Sequence, residues 1–240
     1  MQEGVSDLKI MVTGAGRGLG LCLCKEAVLR GWHVLALNRS EPSPELRALI
    51  DAGHVSFYQA DMANREMLLS VIEKILQTET VLDGLVNNVG MLIGRESTLE
   101  TLRMEDMRRS MEVNLYAPME LTRGMLLLLR KSPSAGIVNI SSSAAAIKGT
   151  RAIDYPYAIS KCAFTMFSEK LRVYLESDGI RVAAVHPGWM RTSMGGEDAA
   201  VDPSEVAVHV LDILCGKQPV TAIPAFVNRF GVPVSDRNEI

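Results

Sequence analysis

The sequence has no long apolar run and no cluster of basic residues. Its longest strongly apolar run, residues 125–129, is far too short to span a bilayer, so we expect no membrane partner. The net charge of −3 and the pI near 5.9 argue against a nucleic-acid partner, which would need a basic face. Residues 1–9 also lack the basic start and the apolar stretch of a signal peptide. These absences together predict a cytoplasmic protein.

Cysteine and histidine are also sparse, with four residues of each. The cysteines follow no ligand spacing of zinc or iron–sulfur sites, so we expect reduced thiols and no metal site. The histidines are isolated along the sequence, which favours structural roles over metal binding. These residues are Cys22, Cys24, Cys162 and Cys215, and His33, His54, His186 and His209.

Strand and helix patterns alternate along the chain, without repeats or low-complexity segments. This order predicts an α/β fold with a doubly wound parallel sheet, which binds ligands at the carboxyl ends of its strands. At 240 residues the chain suits a single domain, residues 1–240. Strands are predicted at 9–13, 33–37, 55–59, 82–86, 136–140, 181–186 and 226–230, and helices at 19–29, 44–52, 64–78, 102–130 and 156–177, with a last helix starting at Pro203.

A glycine-rich turn, residues 14–20 (GAGRGLG), joins the first predicted strand to the first predicted helix. Glycines let the backbone approach a pyrophosphate closely, and the helix N-terminus favours an anion. The alternative is a plain tight turn. The position between strand and helix favours nucleotide binding.

The residues after the second predicted strand bear on the choice of nucleotide. An acidic residue there would bind the ribose hydroxyls of NAD, but this chain has Asn38 followed by Arg39. Arg17 adds a second cation inside the glycine-rich turn. Two cations without a carboxylate suit the 2′-phosphate of NADP, although both arginines could equally be solvated surface residues.

Tyr157 and Lys161 are four residues apart and therefore lie on one face of a helix. A tyrosine that exchanges a proton near neutral pH needs its phenolate stabilised by about 4 kcal/mol, and a nearby ammonium supplies much of this. Pro156 predicts that the helix starts there, so Tyr157 would lie in the first turn, where the helix dipole favours an anion. The alternative is an accidental pair on a helix surface.

The long helix predicted at 102–130 is rich in methionine, a pattern typical of a core or a subunit interface. Pro118 has no N–H to bond the carbonyl of Asn114, so the helix should bend there. The freed carbonyl could hold a water, and a purely structural kink is the alternative. The length and apolar faces of this helix and of the helix at 156–177 suggest a homodimer or homotetramer.

Six motifs occur in an order that resembles the short-chain dehydrogenase/reductase family, in particular its small carbonyl reductase-like members with a Rossmann fold. The resemblance covers essentially the whole chain. The motifs are residues 13–20 (TGAGRGLG), 87–90 (NNVG), Asn114, 137–142 (IVNISS), the Tyr157/Lys161 pair, and Pro187 with Gly188.

The resemblance implies roles for four catalytic residues. Tyr157 would be the general acid/base, and Lys161 would lower its pKa while holding the nicotinamide ribose. Ser142 would hydrogen-bond the substrate oxygen, and Asn114 would hold a water that links Lys161 to solvent.

The resemblance also implies a cofactor site. Gly14, Gly18 and Gly20 would shape the pyrophosphate site, Asp61 and Asn88 would line the adenosine side, and Thr192 would contact the carboxamide. The complete set is Gly14, Arg17, Gly18, Leu19, Gly20, Asn38, Arg39, Asp61, Met62, Asn88, Gly90, Tyr157, Lys161, Pro187, Gly188, Met190 and Thr192.

Three features depart from the family pattern. Val89 stands where alanine is common. The segment from Ser142 to Tyr157 is about two residues longer than usual, which leaves Ser143 as an alternative to Ser142. The lid, at about 189–202, lacks a longer helical insertion, so we expect an open pocket.

These residues predict an NADP-dependent oxidoreductase that moves a hydride between nicotinamide and a carbonyl or secondary alcohol. Alternatives are a cofactor-binding regulatory or sensing protein without turnover, and a lyase or epimerase on the same fold. Apolar residues around the pocket predict an uncharged, fairly hydrophobic substrate, with ordinary loop packing as the alternative interpretation. They are Ile93, Ala144, Ile147, Trp189, Met190 and Met194.

Overall fold

A computed structural model describes residues 7–238 as one seven-stranded parallel sheet flanked by helices. The predicted doubly wound α/β fold is confirmed. The sheet order is β3-β2-β1-β4-β5-β6-β7. The strands are β1 (Lys9–Thr13), β2 (His33–Asn38), β3 (Val55–Gln59), β4 (Gly84–Asn87), β5 (Gly136–Ile140), β6 (Arg181–His186) and β7 (Phe226–Asn228).

Seven α-helices connect or follow these strands within the described residues. They are α1 (Gly18–Leu29), α2 (Pro44–Asp51), α3 (Arg65–Thr78), α4 (Met104–Met111), α5 (Ala117–Leu129), α6 (Tyr155–Tyr174) and α7 (Pro203–Leu214). A π-helix, Glu112–Tyr116, joins α4 to α5. Two 3-10 turns occupy Ser143–Ala145 and Glu176–Asp178.

The core has two layers because successive strand side chains point to opposite faces of the sheet. Ile10 and Val12 of β1 pack with α1, α2 and α7 on one face. Met11, between them, packs with α3, α5 and α6 on the other face. The near-continuous apolar strands are therefore buried on both sides, as a parallel sheet requires.

The helix predicted at 102–130 is wrong as one continuous element. α4 ends at Met111, the π-helix follows, and the Ala117 N–H donates to the carbonyl of Glu112, five residues earlier. Pro118 lies in the first turn of α5, where its missing N–H is tolerated. The structure therefore has a π-helical turn at the place where the sequence predicted a bend.

Three predicted strands differ from the structure at their ends. β2 ends at Asn38, one residue later than predicted. β4 starts at Gly84 rather than at residue 82 and ends at Asn87. β7 ends at Asn228 rather than at residue 230, because the Asn228 side-chain oxygen accepts the N–H groups of Phe230 and Val232 and turns the chain. α6 starts at Tyr155, one residue before the predicted start.

Residues 1–6 and 239–240 lie outside the described residues. The expectation about a signal peptide therefore concerns a segment that is mostly undescribed, and the ends of the predicted domain 1–240 are undescribed too. In the part of the chain that is described, no helix has the length and apolarity needed to cross a bilayer. A cytoplasmic location stays a prediction.

The described residues hold no group of three or more histidine, cysteine or acidic side chains placed to bind a metal, and the four cysteines are free thiols.

Candidate active site

The carboxyl ends of the central strands bring the predicted site residues to one edge of the sheet. β1 ends at the glycine-rich turn, and β4 is followed by Asn88. β5 leads to Ser142, and β6 leads to Pro187. α6 starts near the end of β5 and carries Tyr157 and Lys161.

Tyr157 lies in the first turn of α6, as predicted, and the side chain of Ser142 lies close enough to the Tyr157 hydroxyl to lower its pKa. Ser142 also accepts a hydrogen bond from the Ala144 N–H at 3.2 Å, which fixes the orientation of its hydroxyl. Ser143 is the first residue of the adjacent 3-10 turn. Of the two serines that the sequence left open, the structure brings Ser142 to the phenol.

The pKa of Tyr157 is raised above that of a free tyrosine, chiefly because burial disfavours the charged phenolate. The Ser142 side chain lowers this pKa. Among charged groups, Asp154 raises this pKa, whereas Arg237 and Arg95 lower it. The protein by itself therefore provides a neutral phenol, which is the form that can donate a proton.

Lys161 is only 2% exposed, and its ammonium donates to the carbonyl of Ile140 at 2.8 Å. Its Nζ lies 6.0 Å from the centre of the Tyr157 ring and 5.4 Å from that of Phe164. Burial lowers the pKa of Lys161 to about 8. A role for Lys161 in lowering the pKa of Tyr157 stays a prediction.

Asn114 is fully buried in the π-helix and joins three parts of the site. Its side-chain oxygen accepts the Met91 N–H at 2.7 Å, and its amide donates to the Met91 carbonyl and to the Ser160 hydroxyl, both at 2.9 Å. The side chain thus ties the loop after β4 to α6. The water-holding role implied for Asn114 stays a prediction.

The glycine-rich turn leaves space that side chains would fill. A Cβ atom on Gly20 would lie 2.0 Å from the carbonyl oxygen of Gly14, so the helix can pack this closely on the turn only with glycine there. Gly18 has a φ of 54° and lies beside the methyl group of Thr192. α1 starts at Gly18, so its unpaired N–H groups face this space. A pyrophosphate fits this arrangement.

Asn88 holds the turn in place from the neighbouring strand. Its backbone N–H donates to the Thr13 hydroxyl at 2.9 Å, and its side-chain amide donates to the Thr13 carbonyl at 2.8 Å. Gly90, two residues on, lies against Lys161, because a Cβ there would be 3.3 Å from the ammonium. The motif at 87–90 therefore connects the glycine-rich turn with the Tyr157/Lys161 pair.

The residues predicted for the adenosine side have mixed environments. Arg17 and Arg39 are exposed, and the Asn38 amide lies against Gly16, where a Cβ would be 2.5 Å away. The Asp61 carboxylate accepts the Ala63 N–H at 2.9 Å. Two predicted cofactor residues, Leu19 and Met62, have side chains buried in the core, so their backbone atoms are the groups left to face a ligand.

Pro187 and Gly188 follow β6, and Gly188 has a φ of 92°, which favours glycine. A Cβ at this position would lie 2.7 Å from the guanidinium of Arg229. Burial, with Arg229 nearby, lowers the pKa of His186 to about 4, so this histidine is neutral near pH 7. A structural role for His186 stays a prediction.

The segment predicted as a lid, 189–202, is a series of turns closed at its base. Met190 pairs with Val201 as an isolated parallel bridge, and Arg191 forms an ion pair with Asp202 at 3.1 Å. Arg95, from the loop after β4, donates to the carbonyl of Met194 at 2.9 Å and so links the two sides of the cleft. That this segment moves as a lid stays a prediction.

The apolar candidates divide by exposure. Ile147, Trp189 and Met194 are exposed, Ile93 and Met190 are half-buried, and Ala144 is buried. The exposed three are available to an apolar ligand, whereas the Ala144 side chain packs inside the protein.

A buried polar network behind the site was not predicted. Asn87 donates to Thr122 at 3.0 Å and to Asn139 at 2.8 Å, and Asn139 donates to Ser168 at 2.9 Å. These bonds join β4, β5, α5 and α6. Two polar residues inside otherwise apolar strands were the available sequence signal, since buried amides require partners.

A model of the family "short chain dehydrogenase" matches residues 9–202. The chain belongs to the short-chain dehydrogenase family, and the predicted family is confirmed.

Curated relatives and solved structures agree with this assignment. The 17-beta-hydroxysteroid dehydrogenase type 2 of Homo sapiens is 33% identical over 196 residues, which are 80% of this chain and 50% of that protein. The oxidoreductase YusZ of Bacillus subtilis is 34% identical over 189 residues, which are 77% of this chain and 65% of that protein. The chain therefore spans about half to two thirds of the length of these two relatives.

The carbonyl reductase Sniffer of D. melanogaster has a similar structure, with a TM-score of 0.82 and 25% identity over 95% of this chain and 98% of that one. This similarity agrees with the predicted likeness to carbonyl reductases.

Proposed function

We propose that the protein is an NADP-dependent oxidoreductase that transfers a hydride between nicotinamide and a carbonyl or secondary alcohol of a small, mainly apolar substrate. The observation that carries this proposal is the Tyr157 hydroxyl, which lies beside Ser142 at the sheet edge that also holds the glycine-rich turn. A phenol at this edge can move a proton during reduction.

The glycine-rich turn fits a dinucleotide, and the residues that would hold it follow from the geometry above. Gly14, Gly18 and Gly20 with the start of α1 would hold the pyrophosphate. Pro187 and Thr192 would contact the nicotinamide end. When bound, the nicotinamide supplies or accepts the hydride.

In the reducing direction, the residues of the chain stabilise the charge that develops on the carbonyl oxygen. Tyr157 donates its proton to this oxygen, and the Ser142 hydroxyl donates a hydrogen bond to it. The Lys161 ammonium, held near the phenol, then favours the phenolate that remains. Asn114 holds the loop after β4 against α6, so the proton donor stays in place.

We also propose that segment 189–202 moves as a lid.

The choice of NADP depends on Arg17 and Arg39, because no carboxylate follows β2. We expect the Arg17→Ala/Arg39→Ala variant to lose at least about a hundredfold in affinity for NADPH, while its affinity for NADH changes little, because each of the two charged hydrogen bonds contributes about 1.5–3 kcal/mol. Titration of the intrinsic fluorescence with each cofactor measures this. Arg103→Ala, an exposed arginine at the start of α4, is the control. Tighter binding of NAD than of NADP by the parent protein would contradict these roles.

The test of the proposed function is a spectroscopic screen. The protein is incubated with NADPH and a panel of apolar ketones, aldehydes and quinones, and the loss of NADPH absorbance is followed. We expect consumption of NADPH with at least one of them. Product formation without net NADPH consumption would support a lyase or epimerase, and tight NADPH binding without turnover would support a regulatory or sensing protein.

We further propose that the chain forms a homo-oligomer through α5 and α6. These helices expose several large apolar side chains, which a second copy would cover. They are Met119 and Leu127 on α5, and Met166, Val173 and Tyr174 on α6.

We therefore expect a dimer or tetramer at micromolar concentration and a monomer for Met166→Glu, since a charge would be buried without a partner at the contact. Sedimentation velocity measures the mass. Leu29→Glu, at an exposed apolar residue of α1 on the other face of the sheet, is the matched control and should keep the parent mass. A monomeric parent protein would rule out this assembly.

A further inference from the structure

Asp154, the residue before α6, has an unusual backbone and an unusual partner. Its φ of 55° and ψ of 30° are left-handed, a conformation that a non-glycine residue adopts at a cost in energy. Its carboxylate does not cap the N–H groups of the helix it precedes. The residue is nevertheless buried, so its charge needs a partner elsewhere.

Arg237 provides that partner, 83 residues further along the chain. Its Nη1 donates to Oδ1 of Asp154 at 3.3 Å, and its Nη2 donates to Oδ2 in a short hydrogen bond. Each of the two side chains is only 9% exposed. A two-pronged contact of this kind fixes direction as well as distance.

The segment that carries Arg237, residues 233–238, is held along its length. Val234 donates its N–H to the carbonyl of Phe226 in β7, and Arg237 donates its N–H to the carbonyl of Lys148, both at 3.0 Å. Lys148 also pairs with Asp236 as a parallel bridge and as an ion pair at 3.3 Å. The segment therefore crosses from the edge of the sheet to the stretch between Ser142 and Tyr157.

Gly149 shows how closely these two stretches approach. Its φ is 75°, and a Cβ there would lie 2.3 Å from a carboxylate oxygen of Asp236. The stretch before Tyr157 thus forms a docking place for residues 233–238. This contact brings the Arg237 guanidinium to the start of α6.

The start of α6 determines where the Tyr157 hydroxyl lies. The carbonyl of Asp154 accepts the N–H of Ala158 at 3.0 Å, the first turn of hydrogen bonding in the helix. Tyr157 is inside that turn, so a change in the backbone at Asp154 would move the phenol relative to Ser142.

We propose that Arg237 is a positioning residue, which fixes Asp154 and thereby the first turn of α6 with the Tyr157 hydroxyl. The inference rests on the proposed function for its effect on turnover. Its effect on the phenol itself is independent of any substrate or cofactor.

The charges around the phenol give this inference a direct readout. Asp154 raises the pKa of Tyr157, whereas Arg237 and Arg95 lower it. Ser142 lowers it too, and the Lys161 ammonium lies 6.0 Å from the centre of the ring. Loss of Arg237 leaves the Asp154 carboxylate unopposed, so the pKa of Tyr157 must rise.

The experiment is an ultraviolet titration of tyrosinate without cofactor, in which the Tyr157→Phe curve is subtracted to isolate Tyr157. We expect Arg237→Gln to raise the pKa of Tyr157 and Asp154→Asn to lower it, with the double variant between them. Lys148→Gln removes the neighbouring ion pair of the same segment and should keep the parent value.

Measurement of kcat distinguishes an effect of Arg237 on the position of Tyr157 from an effect of its charge on the pKa of Tyr157. We expect kcat to fall about tenfold in Arg237→Gln and also in the double variant, with the KM for NADPH unchanged, and partial recovery in Arg237→Lys. Circular dichroism identifies a variant that fails to fold. If Arg237→Gln fails to fold, kcat is compared between the parent protein and the double variant, which leaves no unpaired charge.

A parent-like kcat in the double variant, or a parent-like Tyr157 pKa in Arg237→Gln, would overturn the inference. The proposed function fails separately, if Tyr157→Phe turns over as fast as the parent protein. In that case the titration still tests whether Arg237 sets the environment of the phenol.

Discussion

Replacing Tyr157 with phenylalanine is expected to reduce the kcat of carbonyl reduction by about 10²–10⁴-fold, the usual contribution of general acid catalysis. The substitution removes one hydroxyl and keeps the ring that packs at the start of α6. Affinity for NADPH should stay within about twofold of the parent value, because only a proton donor is lost.

The measurement combines initial rates on the best substrate of the panel with cofactor titration of the same preparations. Tyr155→Phe is the matched control, since it makes the same chemical change two residues away on the same helix. It should keep the parent rate. Equal rates for the Tyr157→Phe variant and the parent protein would remove the phenol from the mechanism.

Replacing Lys161 with methionine is expected to separate activity from stability. The pKa of Lys161 is lowered from 10.5 to about 8, so the unfolded chain binds more protons than the folded chain between these values. Stability of the parent protein should therefore rise as the pH increases from about 8 to about 10.5. Below that window, the buried charge destabilises the fold by about 3 kcal/mol.

Methionine carries no charge, so this pH dependence should disappear in the variant. The lost hydrogen bond to the Ile140 carbonyl offsets part of the gain. We expect Lys161→Met to be at least as stable as the parent protein at neutral pH, and its kcat to fall by two orders of magnitude or more, on the order of 10².

Urea unfolding at about pH 7 and about pH 10 measures the stability part of this prediction. Lys170→Met, at an exposed position of the same helix, is the control and should change neither stability nor its pH dependence. A variant that is clearly less stable than the parent protein at neutral pH would show that the Ile140 contact outweighs the cost of burying the ammonium.

Local signals in the sequence were sufficient for most of the fold. The alternation of strands and helices predicted the sheet, and the glycines at 14–20 predicted the tight turn. Both patterns depend only on the backbone geometry of residues close together in the sequence. Tyr157 and Lys161 share a site because helical spacing is fixed. These features needed no knowledge of distant contacts.

Other features depend on contacts between residues far apart in the sequence. No local pattern connects Arg237 with Asp154, and none indicates that the Lys161 ammonium turns to the carbonyl of Ile140. The π-helix was missed because Pro118 alone predicts only a bend, and the hydrogen bonds of Asn114 with Met91 and Ser160 decide its form. In each case the residue type limits which contacts a side chain can make, and tertiary packing determines which of them forms.

The π-helix at Glu112–Tyr116 also absorbs one residue within a helical path that runs from α4 to α5. Its hydrogen bonds span five residues instead of four, so the turn contains one residue more than a turn of regular helix. Deleting one residue there would give a regular helix and leave α5 in nearly the same rotation relative to α4. Thr122 would then still face Asn87, and the apolar stripe of α5 would stay in the core. Such a deletion should therefore disturb the hydrogen bonds of Asn114 with Met91 and Ser160 more than the packing of α5.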